Sequence, residues 1–304
     1  MKKSLYVICL FLAAAIWGFA FSAQKAAGEI PPLTLGALRS ATAFIFLLLI
    51  IPISSKLSHT PPNIEGKRRP LFSRHELIGG AICGTSLAVA SFFQQAGIAA
   101  GADAGKSAFL TALYVVLVPI YSLVLGKRAR LNVWVGAALA VIGLYLISVG
   151  ESLVISRADL IVLICAFIFP IQILAIDRFL PSVDGVRLSA VQFGTAAILN
   201  ALGALMFESG QDASLIVGGI LPILYLGIAS SGVAYTLQII GQRGTSPTAA
   251  AIILSLESVF GAVGGALFFG ESMSAREYIG CALMLSATVI SQMDFKELKV
   301  RFSK

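Results

Sequence analysis

Two ionisable residues sit where ionisable residues are costly. Glu257 falls near the middle of an apolar run from Thr248 to Phe269, and Arg39 about two turns into another from Leu33 to Ile53. A carboxylate at membrane depth costs about 2.5–3.5 kcal/mol on insertion scales, so it needs a partner or a purpose. At helical spacing Glu257 shares a face with Ala250, Gly261, Gly264 and Gly265, small residues that let helices approach and turn the acid into a bundle. Proton coupling, a substrate-amine site and a buried structural acid are all consistent with it. The planar guanidinium of Arg39 suits a carboxylate or phosphate anchor, with structural pairing or snorkelling to the headgroups as the plainer readings. Trp17, Tyr114 and Tyr235, with Gln94, Gln172 and Gln238, add amphipathic rings and amides within or at the ends of other apolar runs. As a set they suit the lining of a cavity for a solute of mixed polarity. Singly, each is as readily an interhelical hydrogen bond or an interface anchor.

The elements that must position these residues follow from composition. Of 304 residues 58% are hydrophobic and 12% charged, with mean hydropathy +0.92. About a quarter of a soluble domain is charged, so the chain belongs in a bilayer. Each helical span needs about 20 apolar residues. Ten such runs are expected, at about Leu5–Ala23, Leu33–Ile53, Leu77–Ala96, Ala104–Leu125, Leu131–Val149, Leu160–Ile176, Val186–Phe207, Leu215–Ile240, Thr248–Phe269 and Ala275–Gln292. The first is read as a retained span, although Ala20-Phe21-Ser22 has the small residues of a signal-peptidase site. Pro119, Pro170 and Pro222 are the expected interruptions, and a kink near the first and sixth spans is plausible.

The chain also repeats itself. Shifted by 144 positions, Gln94 meets Gln238, Gly97 meets Gly241, Leu110 meets Leu254, Val115 meets Val259 and Gly136 meets Gly280 without a gap. Seventeen of the 22 Lys and Arg residues fall on the side that holds the N-terminus, four (Lys25, Lys106, Arg157, Arg276) opposite it, and Arg39 within a span. The positive-inside rule then puts both termini in the cytoplasm. Five spans per half is an odd number, so the halves enter the membrane from opposite sides. The expected fold is all-α and integral to the membrane, with ten transmembrane helices in an inverted 5+5 repeat. Residues 1–150 form the first repeat, 151–293 the second and 294–304 a basic cytoplasmic tail.

At these residues the chain resembles the EamA family of the drug/metabolite transporter superfamily. The resemblance rests on Ala15-Ile16-Trp17-Gly18-Phe19, Pro32 with Arg39, Ala108-Phe109-Leu110 through Val118-Pro119 to Gly126, and Ser246-Pro247 through Leu256-Glu257 to Gly270-Glu271. It implies ten helices, a central cavity, and export or exchange of small metabolites such as amino acids or drug-like compounds in a bacterial-type inner membrane. One departure is Lys127, which stands where the second repeat has Glu271. The swap follows the charge rule.

Other classes fare worse. No GxxxxGK[ST] motif supports ATP hydrolysis, so an ion gradient such as the proton's, exchange, or the solute's own gradient must drive flux. Cys9, Cys83, Cys165 and Cys281 lie singly in separate runs, and His59 and His75 share one loop, so neither disulfide, metal nor other cofactor is indicated. The net charge of +7 reads as topology rather than as a nucleic-acid surface. An intramembrane enzyme would need a second catalytic group beside Glu257, and a receptor-like subunit would leave the repeat and the buried acid without a purpose. The alternative transport reading is an importer or exchanger of an anionic, nucleotide- or cofactor-like solute attracted by Arg39, Lys25 and Lys106. A reporter enzyme fused near Gly150 is expected to be active outside the cytoplasm and one fused at Lys304 inside it; activity in one shared compartment would refute the antiparallel halves.

Overall fold

The computed structural model describes residues 3–27, 29–57, 70–102, 104–127, 129–148, 155–208, 213–269 and 273–293. Gly150, Glu271, most of the basic loop with His59, and the tail from 294 to 304 lie outside the described residues. All regular structure among the described residues is helical: α1 (Lys3–Ala26), α2 (Pro32–Leu57), α3 (Arg74–Ala99), α4 (Ala104–Ala112), α5 (Tyr114–Val124), α6 (Leu131–Ser148), α7 (Arg157–Phe179), α8 (Gly185–Phe207), α9 (Ala213–Gly218), α10 (Ile220–Leu224), α11 (Tyr235–Gln242), α12 (Pro247–Leu254), α13 (Glu257–Phe269) and α14 (Ala275–Gln292). A π-helical stretch, Tyr225–Ala234, joins α10 to α11, and a 3-10 turn, Leu180–Ser182, follows α7.

Eight helical stretches among the described residues are long and apolar enough to cross a bilayer, and Leu131–Ile147 is a shorter apolar one. The 18-residue α14 is a less apolar helix, with Arg276 and Glu277 in its first turn. Ser274 and Glu277 form a capping box there, as Ser73 with Glu76 does before α3 and Ser156 with Asp159 before α7. Glu76 also accepts a hydrogen bond from the Asp184 backbone N–H at 3.1 Å, tying the start of α3 to the start of α8.

The distribution of side chains is that of a protein solvated by lipid. Ile45, Leu49 and Ile53 of α2, Leu202 and Leu205 of α8, and Ile279 and Val289 of α14 are exposed, while Gln24, Arg39, Gln94, Gln172, Gln192, Gln238 and Glu257 are buried. Apolar residues thus face out and polar groups find partners within the bundle.

Small residues set the helix contacts. A Cβ on Gly143 would lie 2.8 Å from the Gly280 carbonyl oxygen, one on Gly280 2.7 Å from that of Gly143, and one on Gly136 3.0 Å from that of Ala287. Helices α6 and α14 are therefore antiparallel. In the 144-residue register Gly136 answers to Gly280 and Gly143 to Ala287, so the contacts are exchanged when the halves are exchanged. Likewise α2 runs antiparallel to α8, with Leu33 at Gly203 and Phe44 at Gly194. Helix α3 runs antiparallel to α7 through Gly79 at Phe179 and Gly97 at Val162, and α1 antiparallel to α11 through Leu10 at Gly241 and Tyr6 at Gly244.

The helix interruptions match the expected ones only in part. Pro222 lies in the short α10, between Gly219 and the π-helical stretch, whereas Pro119 and Pro170 lie inside α5 and α7 without ending them. The run 104–125 breaks at Leu113 and the run 248–269 at Ser255 and Leu256, where no proline stands. Both breaks are tight turns of 3-10 character: Val116 N–H bonds to Leu113 O, and Leu256 N–H to Ile253 O, three residues back. Leu113 plus 144 is Glu257, the residue that follows the second break, so the two breaks fall within two positions of each other in the repeat. Gly280→Val should lower the thermal stability of the purified protein by about 1–3 kcal/mol through overpacking against the Gly143 carbonyl, whereas Gly218→Ala, with nothing within 4 Å of the added Cβ, should leave the melting temperature unchanged.

Candidate functional site

A helix broken within a bundle frees backbone groups and re-aims side chains, and here both breaks open on one cavity. Its volume is about 540 Å³, counting the part open to solvent. Trp17, Arg39, Gln94, Tyr114, Gln172, Tyr235, Gln238 and Glu257 all line it, whereas Lys25 and Lys106 are not among its lining residues.

At the breaks, Tyr114 opens α5 and Glu257 opens α13. The Tyr114 hydroxyl donates to Glu257 Oε1 at 3.3 Å, and both side chains are buried. One residue from each repeat thus meets at the centre. Helix α1 comes close to α13 because of a glycine: a Cβ on Gly18 would lie 2.7 Å from the Glu257 carbonyl oxygen and 2.8 Å from Gly261 N. The small face beside Glu257 therefore serves the packing of α1, with Phe19 seated at Gly264.

Aromatic rings form a wall. Trp17 and Tyr235 stack tilted, with centroids 4.6 Å apart, Phe193 backs Tyr235 at 5.3 Å, and Phe169 meets Tyr114 edge-on at 6.5 Å. Trp17 Nε1–H donates to the Ser230 carbonyl oxygen at 3.0 Å. Ser230 lies in the π-helical stretch, where Gly227 and Gly232 let the chain press against Thr42 and Phe46 of α2.

Arg39 does not snorkel. It is 9% exposed, its Nε donates to Ser231 Oγ at 3.2 Å and its Nη2 to Ser230 Oγ at 3.3 Å. No carboxylate among the described residues lies within ion-pair distance. The expectation of headgroup contact fails because Ser230 and Ser231 present two hydroxyls to the guanidinium edge inside the bundle.

The glutamines form two separate groups. Near the ends of α1 and α3, Gln24 Nε2 donates to Gln94 Oε1 and Gln94 Nε2 to Thr111 Oγ1, each at 3.0 Å. Toward the ends of α7 and α11, Gln172 and Gln238 exchange amide hydrogen bonds at 3.3 and 3.2 Å, and Gln172 also donates to Gln192 Oε1 at 3.1 Å. Both groups line the one cavity, at different levels along α7. Gln94 and Gln238 are partners in the 144-residue register.

Sequence reasoning missed Gln24, Thr111, Ser230 and Ser231. Gln24 was legible as an amide at the end of an apolar run. The hydroxyls were not, since Ser and Thr in membrane helices commonly bond their own backbone, as Thr42 does to Leu38 O. No cluster of His, Cys, Asp and Glu that could hold a metal occurs among the described residues.

Comparison with known proteins places this geometry. The family described as the EamA-like transporter family is matched twice, at residues 4–149 and again at 156–293. The chain is 28% identical over 301 residues to the uncharacterized transporter YwfM of Bacillus subtilis (strain 168), covering 95% of this chain and 94% of that protein. It is also 28% identical over 292 residues to an uncharacterized transporter of Archaeoglobus fulgidus, covering 95% and 86%. A solved crystal structure superposes with TM-score 0.75 at 19% identity, covering 95% of this chain and 96% of that one, which establishes likeness of fold. Replacing Gln172 by Leu should strand the amides of Gln192 and Gln238 and cost about 1–3 kcal/mol of stability in denaturant or thermal unfolding.

Proposed function

The chain belongs to the EamA-like transporter family, and from that premise we propose that it is a secondary transporter that exports small metabolites, such as amino acids or drug-like compounds, by alternating access. It is a multi-pass membrane protein. In this reading it crosses a bacterial-type inner membrane ten times, with both termini in the cytoplasm. α6 and α14 complete the count begun by the eight longer stretches, and α4 with α5, and α12 with α13, are one broken span each.

The inverted 5+5 arrangement is supported by reciprocal packing. α3 lies on α7 as α11 lies on α1, α3 on α8 as the π-helical stretch on α2, and α6 and α14 meet through equivalent residues. Two halves related in this way form two pseudo-equivalent ends, and exchanging their conformations exposes one site to either face in turn. The observation that carries the reading is the meeting of two helix breaks, at neighbouring positions of the repeat, in one cavity where Tyr114 bonds Glu257.

In this account Glu257, Arg39 and the amide and aromatic residues around them bind the solute. The Gln24–Gln94 and Gln172–Gln238 pairs are the two points at which the cavity closes. Glu257 is the group through which a proton or another cation would couple to flux, since it is the one acid among the described residues that line the cavity. The chain's basic flank and lack of a nucleotide-binding loop leave gradients as the energy source.

Transport of radiolabelled amino acids and of drug-like cations, tested in proteoliposomes with and without an imposed pH gradient, checks the proposal. Accumulation of at least one solute is expected, together with a loss of about 100-fold or more in rate for Glu257→Gln at unchanged protein level, the scale at which removal of a group essential to a positioned site is felt. Flux that is unaltered in Glu257→Gln would remove the acid from the mechanism, and absence of flux for every solute would sink the transporter reading.

A further inference from the structure

The guanidinium of Arg39 is a buried cation without a counter-ion among the described residues. Burial of a charge is tolerated when it is paired, and within a bilayer the cost of leaving it bare is several kcal/mol. Arg39 has five N–H donors, of which the structure engages two with neutral hydroxyls, Ser231 Oγ and Ser230 Oγ. The acid that shares the cavity, Glu257, is bonded to Tyr114 instead. Arg39 is itself one of the residues that line the cavity.

The surroundings make this a built subsite. Arg39 is held from below by two serines of the π-helical stretch, and that stretch is fixed in turn by Trp17 Nε1–H on the Ser230 carbonyl and by Tyr225 Oη–H on the Ile16 carbonyl at 2.7 Å. The backbone of α2 is pressed against the same stretch, because a Cβ on Gly227 would lie 2.6 Å from Thr42 Cβ and 3.1 Å from the Arg39 carbonyl oxygen. The fork is thus oriented before any ligand arrives, which reduces the entropy cost of binding. Beside it stand the rings of Trp17 and Tyr235, an apolar surface for a flat or branched body.

We propose that Arg39, oriented by Ser230 and Ser231, is the subsite for a carboxylate group of the transported solute, with the solute's apolar or aromatic body lying against Trp17 and Tyr235. This rests on the transporter reading and narrows its substrate class to organic monoanions and molecules that carry a carboxylate. A planar carboxylate matches the bidentate edge of a guanidinium. Arg39 is the one cation among the lining residues, which matches one negative charge and leaves a dianionic phosphate half compensated.

The test uses the full-length protein in nanodiscs and three small probes of one shape: phenylacetate, its uncharged isostere phenylacetamide, and phenyl phosphate. Binding is read by thermal stabilisation and by quenching of Trp17 fluorescence in a Trp134→Phe background, Trp134 being the other tryptophan. Phenylacetate should bind about tenfold or more tighter than the amide, the discrimination expected of a hydrogen bond to a charged group. Arg39→Gln should erase that preference, and the double change Ser230→Ala with Ser231→Ala should weaken it while Arg39 remains. Equal binding of acid and amide, binding of neither, an acid preference that survives Arg39→Gln, or tighter binding of phenyl phosphate than of phenylacetate would each overturn the proposal. The acid-to-amide comparison on the unaltered protein stands even if a variant fails to fold. Flux in proteoliposomes reads the wider proposal separately: transport of uncharged solutes without preference for acids would remove the subsite and leave the transporter.

Discussion

The structure depends on where two membrane helices stop being helices. In lipid a broken helix exposes amide groups that no solvent satisfies, so a break survives only inside the protein or against a water-filled space. Here the breaks at Leu113 and at Ser255 and Leu256 are placed back to back, and the bond from Tyr114 to Glu257 joins them. Much of the remaining architecture serves that junction. Gly18 lets α1 reach α13, the capping serines and acids fix the helix starts, and the glycines of α6 and α14 lock the outer pair.

The same constraint explains the partition of polarity. Two pairs of buried amides bond each other across helices, Gln24 with Gln94 and Gln172 with Gln238, and in the proposed mechanism these are the helices that part. Amide pairs suit such a task. Their hydrogen bonds contribute modestly, because water replaces the partner when the pair opens, and so closure and opening lie near in energy. An ion pair would be harder to part. Ion pairs of Lys106 with Asp159 and of Lys127 with Asp177 instead hold the broken span of the first half to the two ends of α7.

Much of this was legible in the sequence, for physical reasons. Long apolar runs must be helices in a bilayer, and a gapless 144-residue register identifies equivalent positions without reference to structure. Residues of the wrong polarity for their depth, Glu257 and Arg39 above all, mark a polar interior. What stayed hidden was local backbone geometry. The prolines drew attention to Pro119 and Pro170, yet α5 and α7 run through both, whereas the breaks at the cavity carry Leu113, Ser255 and Leu256, residues with no turn signal. The π-helical stretch that aims Ser230 and Ser231 at Arg39 was equally silent, since its sequence differs little from that of an ordinary span. Helix α14 shows the reverse: its polar first turn weakens its apolar signal, but the repeat reveals it, because its partner α6 is plainly apolar.

We propose as the central claim that one cavity, between helix breaks at neighbouring positions of the repeat, opens to either face in turn. Its most direct test places cysteines in pairs at positions 24 and 94 or at positions 172 and 238, in a protein whose four native cysteines are replaced, bridges each pair with a short bifunctional reagent, and reads the reactivity of a reporter cysteine at position 91 from each side of sealed vesicles. Bridging one pair should leave the reporter reachable only from the opposite side, and bridging the other should reverse that side, with flux stopped in both cases. A reporter reached from the same side whichever pair is bridged, or flux that continues with both pairs closed, would contradict the account.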